Sequence, residues 1–256
     1  MKIKQHLAFY VLSAYFILNG LAAASALAGD PAPLLDKISN RIDSYPENNN
    51  IQYKIVKKYS TMDKNWQPKK TTVTKTIRKI VNGVISSEVL DALETEGGIT
   101  KDIKRKTMEQ VKKQVESENK KRTEQKDQNK IENPFDVFFP FSGNKRTMFE
   151  FKRLNDDTYN EMPVYIIEAV AKEKDEKLFD GKYYISKKTY DVIKARVKPS
   201  KKSGLVKEVD IDIEFQVLPE GNFMIKKMKT RADGGLLFMR MRIIQEDEYS
   251  DIKILN

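Results

Sequence analysis

The segment Lys207 to Val217 alternates without a break: Val209, Ile211, Ile213, Phe215 and Val217 fall on one face, and Asp210, Asp212, Glu214 and Gln216 on the other. A period of two is the side-chain repeat of an extended strand, and a wholly polar second face makes this strand dry on one side only. The pattern recurs. Leu237, Met239, Met241 and Ile243 alternate with Arg240 and Arg242, and Ile51, Tyr53 and Ile55 with Gln52 and Lys54. Strands of this kind build antiparallel sheets. Asn82-Gly83, between Ile80-Val81 and Val84-Ile85, predicts a tight hairpin, because the favoured two-residue turn needs positive φ at both central positions. Asp180-Gly181, Glu220-Gly221 and Asp233-Gly234-Gly235 predict turns ahead of strands at Lys182 to Ser186, Asn222 to Thr230 and Leu236 to Ile244. Thr71 to Val81, Val164 to Val170 and Val192 to Val197 read as strands on their β-branched content.

A sheet dry on one face needs a cover, and the chain supplies few. Leu34, Leu35, Ile38 and Ile42 mark one face of a helix over Pro33 to Ile42, which Pro46 and Asn48-Asn49-Asn50 stop. Thr100 to Lys130 holds 11 Lys or Arg and 6 Asp or Glu, with no Gly or Pro. Ile103, Thr107, Val111 and Val115 give it a thin apolar stripe, so the expectation is a charged helical insertion whose first half rests on the body and whose second half projects or frays. It reads either as a basic arm for an anionic surface or as a solvated insertion. Asn133 to Phe141 places Phe135, Phe138, Phe139 and Phe141 within seven residues, about Pro134 and Pro140. The prolines exclude a helix interior or a central strand. This loop is either a plug over the core edge or a lip beside an apolar cavity.

The chemistry open to the chain is narrow. His6 is its single histidine and it has no cysteine. Met1 to Ala28 has the form of a cleaved secretory leader: Lys2 and Lys4, an apolar run Leu7 to Leu18, then Ala26-Leu27-Ala28. The remaining residues 29–256 then form one domain with neither imidazole nor thiol. That excludes Cys-His and Ser-His-Asp nucleophiles, His or Cys metal sites and disulfides. No phosphate loop, nucleophile elbow or EF-hand loop occurs. The carboxylate pairs are Asp156-Asp157 and Asp210/Asp212, and the second lies on the polar face of a strand beside many lysines, as a solvated sheet face explains. No enzyme, metal or cofactor is expected. The net charge of +10 would suggest nucleic acid in a cytosolic protein, but export points instead to lipid headgroups or envelope proteins. The location expected is the periplasm.

The order of parts resembles the periplasmic outer-membrane lipoprotein carrier (LolA-like) superfamily and its lipoprotein-sorting relatives. The best local match is the C-terminal half, where PFDVFFPF is followed by VYIIEAVAK, by FDGKYYISKKTYDVIKARV and by LPEGNFMIKKMKTRA. The resemblance implies an α+β fold, mainly antiparallel β. Its curved half-barrel sheet has an N-terminal amphipathic helix, and here an inserted charged helix, covering or flanking the concave face. It implies binding of lipid or lipoprotein acyl chains. Val209, Ile211, Ile213, Phe215, Leu237, Met239, Met241 and Ile243 would then line the concave face, with Phe138, Phe139 and Phe141 at its lip. A closed core made by the same side chains is the competing reading, since alternation does not separate a filled barrel from an open one. The resemblance also implies a lid-locking arginine; Arg78 is a candidate, and no position is fixed by the sequence. Some relatives act instead by binding signalling proteins, so a protein-interaction or envelope-stress sensor module without lipid cargo is the alternative.

Overall fold

A computed structural model describes residues 31–46, 50–127, 138–141, 143–202, 204, 206–236 and 239–255. The leader, and Phe135 of the aromatic loop, lie outside the described residues. The order is α1 (Ala32–Asp43), β1 (Ile51–Met62), β2 (Pro68–Val81), β3 (Val84–Glu96), β4 (Ile99–Asp102), α2 (Lys104–Asp127), a 3-10 turn (Gly143–Met148), β5 (Phe149–Arg153), β6 (Asp157–Tyr159), β7 (Met162–Ala171), β8 (Phe179–Ser186), β9 (Val192–Pro199), β10 (Val206–Val217), β11 (Phe223–Leu236) and β12 (Met239–Ile254). All the strands join one sheet in the order β4-β3-β2-β1-β12-β11-β10-β9-β8-β7-β5, with β6 on β7. Every pairing is antiparallel. The sheet is open: β4 and β5 end it, and helices lie over one face, as in a half-barrel.

The hairpin at Asn82-Gly83 forms with φ of 52° and 79°, and Ile80 pairs with Ile85 across it. Gly221 turns the chain between β10 and β11 with φ of 90°. Two other glycine turns fall elsewhere than the sequence suggests. Gly181 sits inside β8, opposite Val197. A Cβ there would meet the Arg196 carbonyl oxygen at 2.3 Å, so the glycine serves close strand approach. Asp233-Gly234-Gly235 likewise stays in β11, paired with Arg242, Met241 and Arg240 of β12. Asp233 is buried there, accepting from Arg240 Nε at 2.8 Å and Arg242 Nε at 3.2 Å. Two guanidinium partners keep the strand extended where glycines alone would break it.

The charged insertion also differs from its expectation. Thr100 to Asp102 belong to β4, and the helix begins at Lys104. It does not project beyond its first half. Ile103 N donates to Ala92 O, Asn119 both donates to Ile85 O and accepts from Ile85 N at 2.8 Å, and Arg122 reaches Gly83 O. The helix therefore runs beside β3 from Ala92 to Gly83. It is held by polar side chains, which an apolar-stripe argument does not register. It also covers much of an edge strand that would otherwise present unpaired backbone groups.

Candidate ligand face

The dry face is built by register. On β10, Val217, Phe215 and Ile213 face Phe223, Ile225 and Met228 of β11. Ile213 and Ile211 face Ala195 and Val197 of β9, Ala195 faces Tyr183 of β8, and Tyr183 faces Ile167 of β7. Ala169 and Ala171 then meet Phe151 and Phe149 of β5. These side chains form one core cluster with Leu34, Leu35 and Ile38 of α1 and with Phe139 and Phe141. A smaller cluster, Ile51, Tyr53, Ile80, Ile85 and Met224, lies over β1 to β3 with Val115 of α2 against it.

The aromatic segment goes deep. Phe141 is 0 % exposed and meets the Tyr183 ring edge-on at 4.9 Å. Phe139 packs at 5.2 Å from Phe215 and 5.5 Å from Phe223. Phe138 is half-buried at 5.2 Å from Phe179, and its carbonyl accepts from Tyr183 Oη at 2.8 Å. Burial pushes the Tyr183 phenol well above its usual range, so it donates at any ordinary pH.

Of the sequence-predicted site residues, Phe139, Phe141, Ile213 and Phe215 come together in this cluster, with Phe138 and Ile211 partly buried against it. Val209 and Ile243 are partly buried outside it. Met241 is 61 % exposed. Leu237 lies outside the described residues, and the Met239 backbone pairs with Leu236. The sequence reading missed Tyr183, Phe149, Phe223 and Ile225. Phe223 and Ile225 could have been found as the cross-strand partners of Val217 and Phe215 on the far side of the Gly221 turn.

The covers are fastened by polar contacts at their margins. Asp191, at the β8–β9 turn, accepts from Arg41 Nε at 2.5 Å and Tyr45 Oη at 2.7 Å. Burial, helped by that bond, holds the Tyr45 phenol up, and the Asp191 bond raises Arg41. Arg146 pairs with Asp36 of α1. On the other cover, Glu118 of α2 pairs with Arg78 of β2. The candidate arginine thus joins sheet to helix. Its Nε is buried with no hydrogen-bond partner among the described residues.

No protein-family model matches the sequence, and no curated protein sequence matches it. Solved structures do. An outer membrane lipoprotein-sorting protein domain from Vibrio parahaemolyticus is 12 % identical, over 89 % of this chain and 94 % of that one, with a TM-score of 0.41. A LolA-superfamily protein from Nitrosomonas europaea is 9 % identical over 87 % and 94 %, TM-score 0.37. The MucA/MucB complex of Pseudomonas aeruginosa gives 7 % identity over 88 % and 99 %, TM-score 0.29.

Two hollows, of about 240 and 220 Å3, are lined chiefly by charged and polar residues of β9–β10 and of β1, β2, β11 and β12. Neither takes a lining residue from the main core cluster. Among the described residues the covers themselves fill the dry face. Also among the described residues, no group of three or more His, Cys, Asp or Glu could hold a metal ion, and no helix is long and apolar enough to cross a membrane.

Proposed function

We propose that the protein is a periplasmic carrier that holds the acyl chains of a lipid or lipoprotein on the concave face of its half-barrel. The observation that carries this reading is the build of the cover. α1 and the Phe138–Phe141 segment contribute five buried side chains to the core cluster, Leu34, Leu35, Ile38, Phe139 and Phe141. Their polar fastenings are few: Asp191 and Asp36 at the margins, and the Phe138 carbonyl on the buried Tyr183 hydroxyl. When such a cover leaves and an apolar ligand replaces it, the polar groups left on the sheet are few: the Tyr183 hydroxyl and the Asp191 carboxylate.

The magnitudes agree with exchange. A chain of about sixteen carbons gains on the order of 10 kcal/mol on burial, at about 0.8 kcal/mol per methylene. Five buried Leu, Ile and Phe side chains gain a similar amount, at about 1.5–3 kcal/mol each. Ligand and cover compete on nearly equal terms, which is what a carrier needs in order to release its cargo. Phe138, Phe139, Phe141, Ile211, Ile213 and Phe215 are the residues we assign to the ligand, with Val209, Ile243 and Met241 further along the strands; Leu237 and Met239 are assigned on the sequence alternation alone. The periplasmic location rests on the leader Met1 to Ala28.

The closed packing of the face favours a second reading, a protein-interaction or envelope-stress sensor module whose core stays shut. Hydrogen exchange separates the two. With a diacylated lipopeptide added, a carrier shows faster exchange in the amides of α1, while those of β10 stay protected. Unchanged α1 amides at saturating lipopeptide would sink the carrier reading and leave the interaction module.

A further inference from the structure

Three carboxylates are buried among the described residues: Asp191, Asp233 and Asp247. Two of them are bonded to arginine. Asp191 accepts from Arg41 and Tyr45 at the margin of α1, and Asp233 from Arg240 and Arg242. Asp247 has no such partner. One of its oxygens accepts from Gln245 Nε2 at 2.8 Å. The other has no hydrogen-bond partner among the described residues, and no ion pair among them engages either. Lys57 stands opposite on β1, but its side chain is exposed and does not close on the carboxylate. A buried acceptor left open is costly and rare in native folds. A structural role does not account for it, since asparagine would fill the same space without burying a charge.

The placement of Asp247 says what could use it. Its cross-strand neighbour on β11 is Met228, which packs on the main core cluster. Two residues along β12, on the same face, Tyr249 packs on both core clusters. Two residues the other way the character changes. Thr230 of β11, Gln245 and Tyr59 of β1 form one cross-strand row, and all three are half-buried and polar. The carboxylate therefore stands where the dry part of the concave face meets a half-open polar row. A ligand whose chains lie on the core cluster would bring its polar head to this boundary.

We infer that Asp247 is the head-group site of the concave face, and that it takes the primary ammonium of an acylated ligand. The inference rests on the carrier reading and names the class of cargo. As a carboxylate Asp247 accepts bonds and donates none, so the head must bring an N–H, and a cation on a buried anion makes the stronger bond. A free fatty acid offers only a second anion. A metal ion does not fit, because among the described residues no three His, Cys, Asp or Glu side chains come together. Gln245 is the positioning residue: its bond to one oxygen leaves the other turned to the ligand. Lys57, being exposed, turns to solvent as the ammonium enters.

The test is calorimetric binding of three probes with one chain length to the exported protein, each below its aggregation concentration. Hexadecylammonium is a cation with N–H donors, hexadecyltrimethylammonium a cation without them, and palmitate an acceptor only. Hexadecylammonium is expected to bind most tightly. Asp247→Asn weakens it by about tenfold or more, the effect of losing a hydrogen bond to a charged group, and leaves the trimethyl probe bound more nearly as before. Gln245→Met lowers the same preference by a smaller factor. Urea unfolding of the same samples checks that both variants fold. A short-chain phosphatidylethanolamine and a diacylated lipopeptide are then added as competitors. Displacement of hexadecylammonium by one of them supports the inference and says whether lipid or acylated peptide supplies the ammonium; displacement by neither overturns it. Equal binding of the two cations, or hexadecylammonium binding unchanged in Asp247→Asn, would also overturn it, as expected if a bound water alone satisfies the carboxylate. In those cases the chains still bind and the carrier reading stands, whereas binding of no probe would remove both.

Discussion

Asp247 of β12 is 3 % exposed, stands opposite Lys57 of β1 and Met228 of β11, and keeps one carboxylate oxygen with no hydrogen-bond partner among the described residues. Its other oxygen accepts from Gln245 at 2.8 Å. Burial pushes its carboxyl above the usual carboxylate range, against the pull of Lys57 and Gln245. Asp233 is the opposite case: bonding to Arg240 and Arg242 holds its carboxyl down to about 2. The signs differ accordingly. Between the ordinary value near 4 and its raised native value, Asp247 binds more proton folded than unfolded, so its effect is to lower stability as pH rises through that window. Asp233 contributes stability that is full above about 4 and is lost as pH falls toward 2. Asp247→Asn therefore stabilises the protein at neutral pH, by on the order of 1 kcal/mol, and leaves stability below pH ~4 unchanged. Urea unfolding at several pH values reads this; a variant less stable than the parent at neutral pH would show that the carboxylate has a partner after all.

At the scale of elements, legibility follows period and turn chemistry. The strand over Lys207 to Val217 was readable because its alternation is unbroken, and the Asn82-Gly83 hairpin because both residues tolerate positive φ. The β11 strand was harder. A bulge near Lys226 puts Ile225 opposite Phe215 and Lys227 opposite Glu214, so Ile225 and Met228 share the dry face at a spacing no simple period of two produces. Gly181 and Gly234-Gly235 misled because a glycine that permits close approach looks the same in sequence as one that turns the chain. The depth of Phe139 and Phe141 was not legible either, since a loop's burial depends on what lies beneath it. α2 is the element whose hold was least visible, resting on Asn119, Arg122 and the Arg78–Glu118 pair. Arg78→Leu removes that pair and leaves Glu118 half-buried without its cation. Amide exchange in Lys104 to Asp127 is expected to rise about ten- to a hundredfold, the effect of losing a partly buried charge partner, while α1 is unaffected. Equal exchange in both proteins would show that the side-chain bonds of Asn119 and Arg122 hold the helix unaided.

For the whole molecule the sheet works as a frame with two covers of different kinds. Over β5 and β7 to β11, α1 and the aromatic segment are apolar beneath and polar at their margins. Over β1 to β3, α2 is a charged strap with few apolar contacts. The first cover suits exchange with an acyl chain, and the second holds the edge of the sheet. Neither role requires imidazole, thiol or metal. The most direct test is native mass spectrometry of the protein isolated from its own envelope fraction, repeated after lipid extraction and after addition of a diacylated lipopeptide. The carrier account expects one acylated molecule per chain, lost on extraction and restored by the lipopeptide. A mass without ligand that no acylated species changes would contradict it, and would make the packed dry face a permanent core.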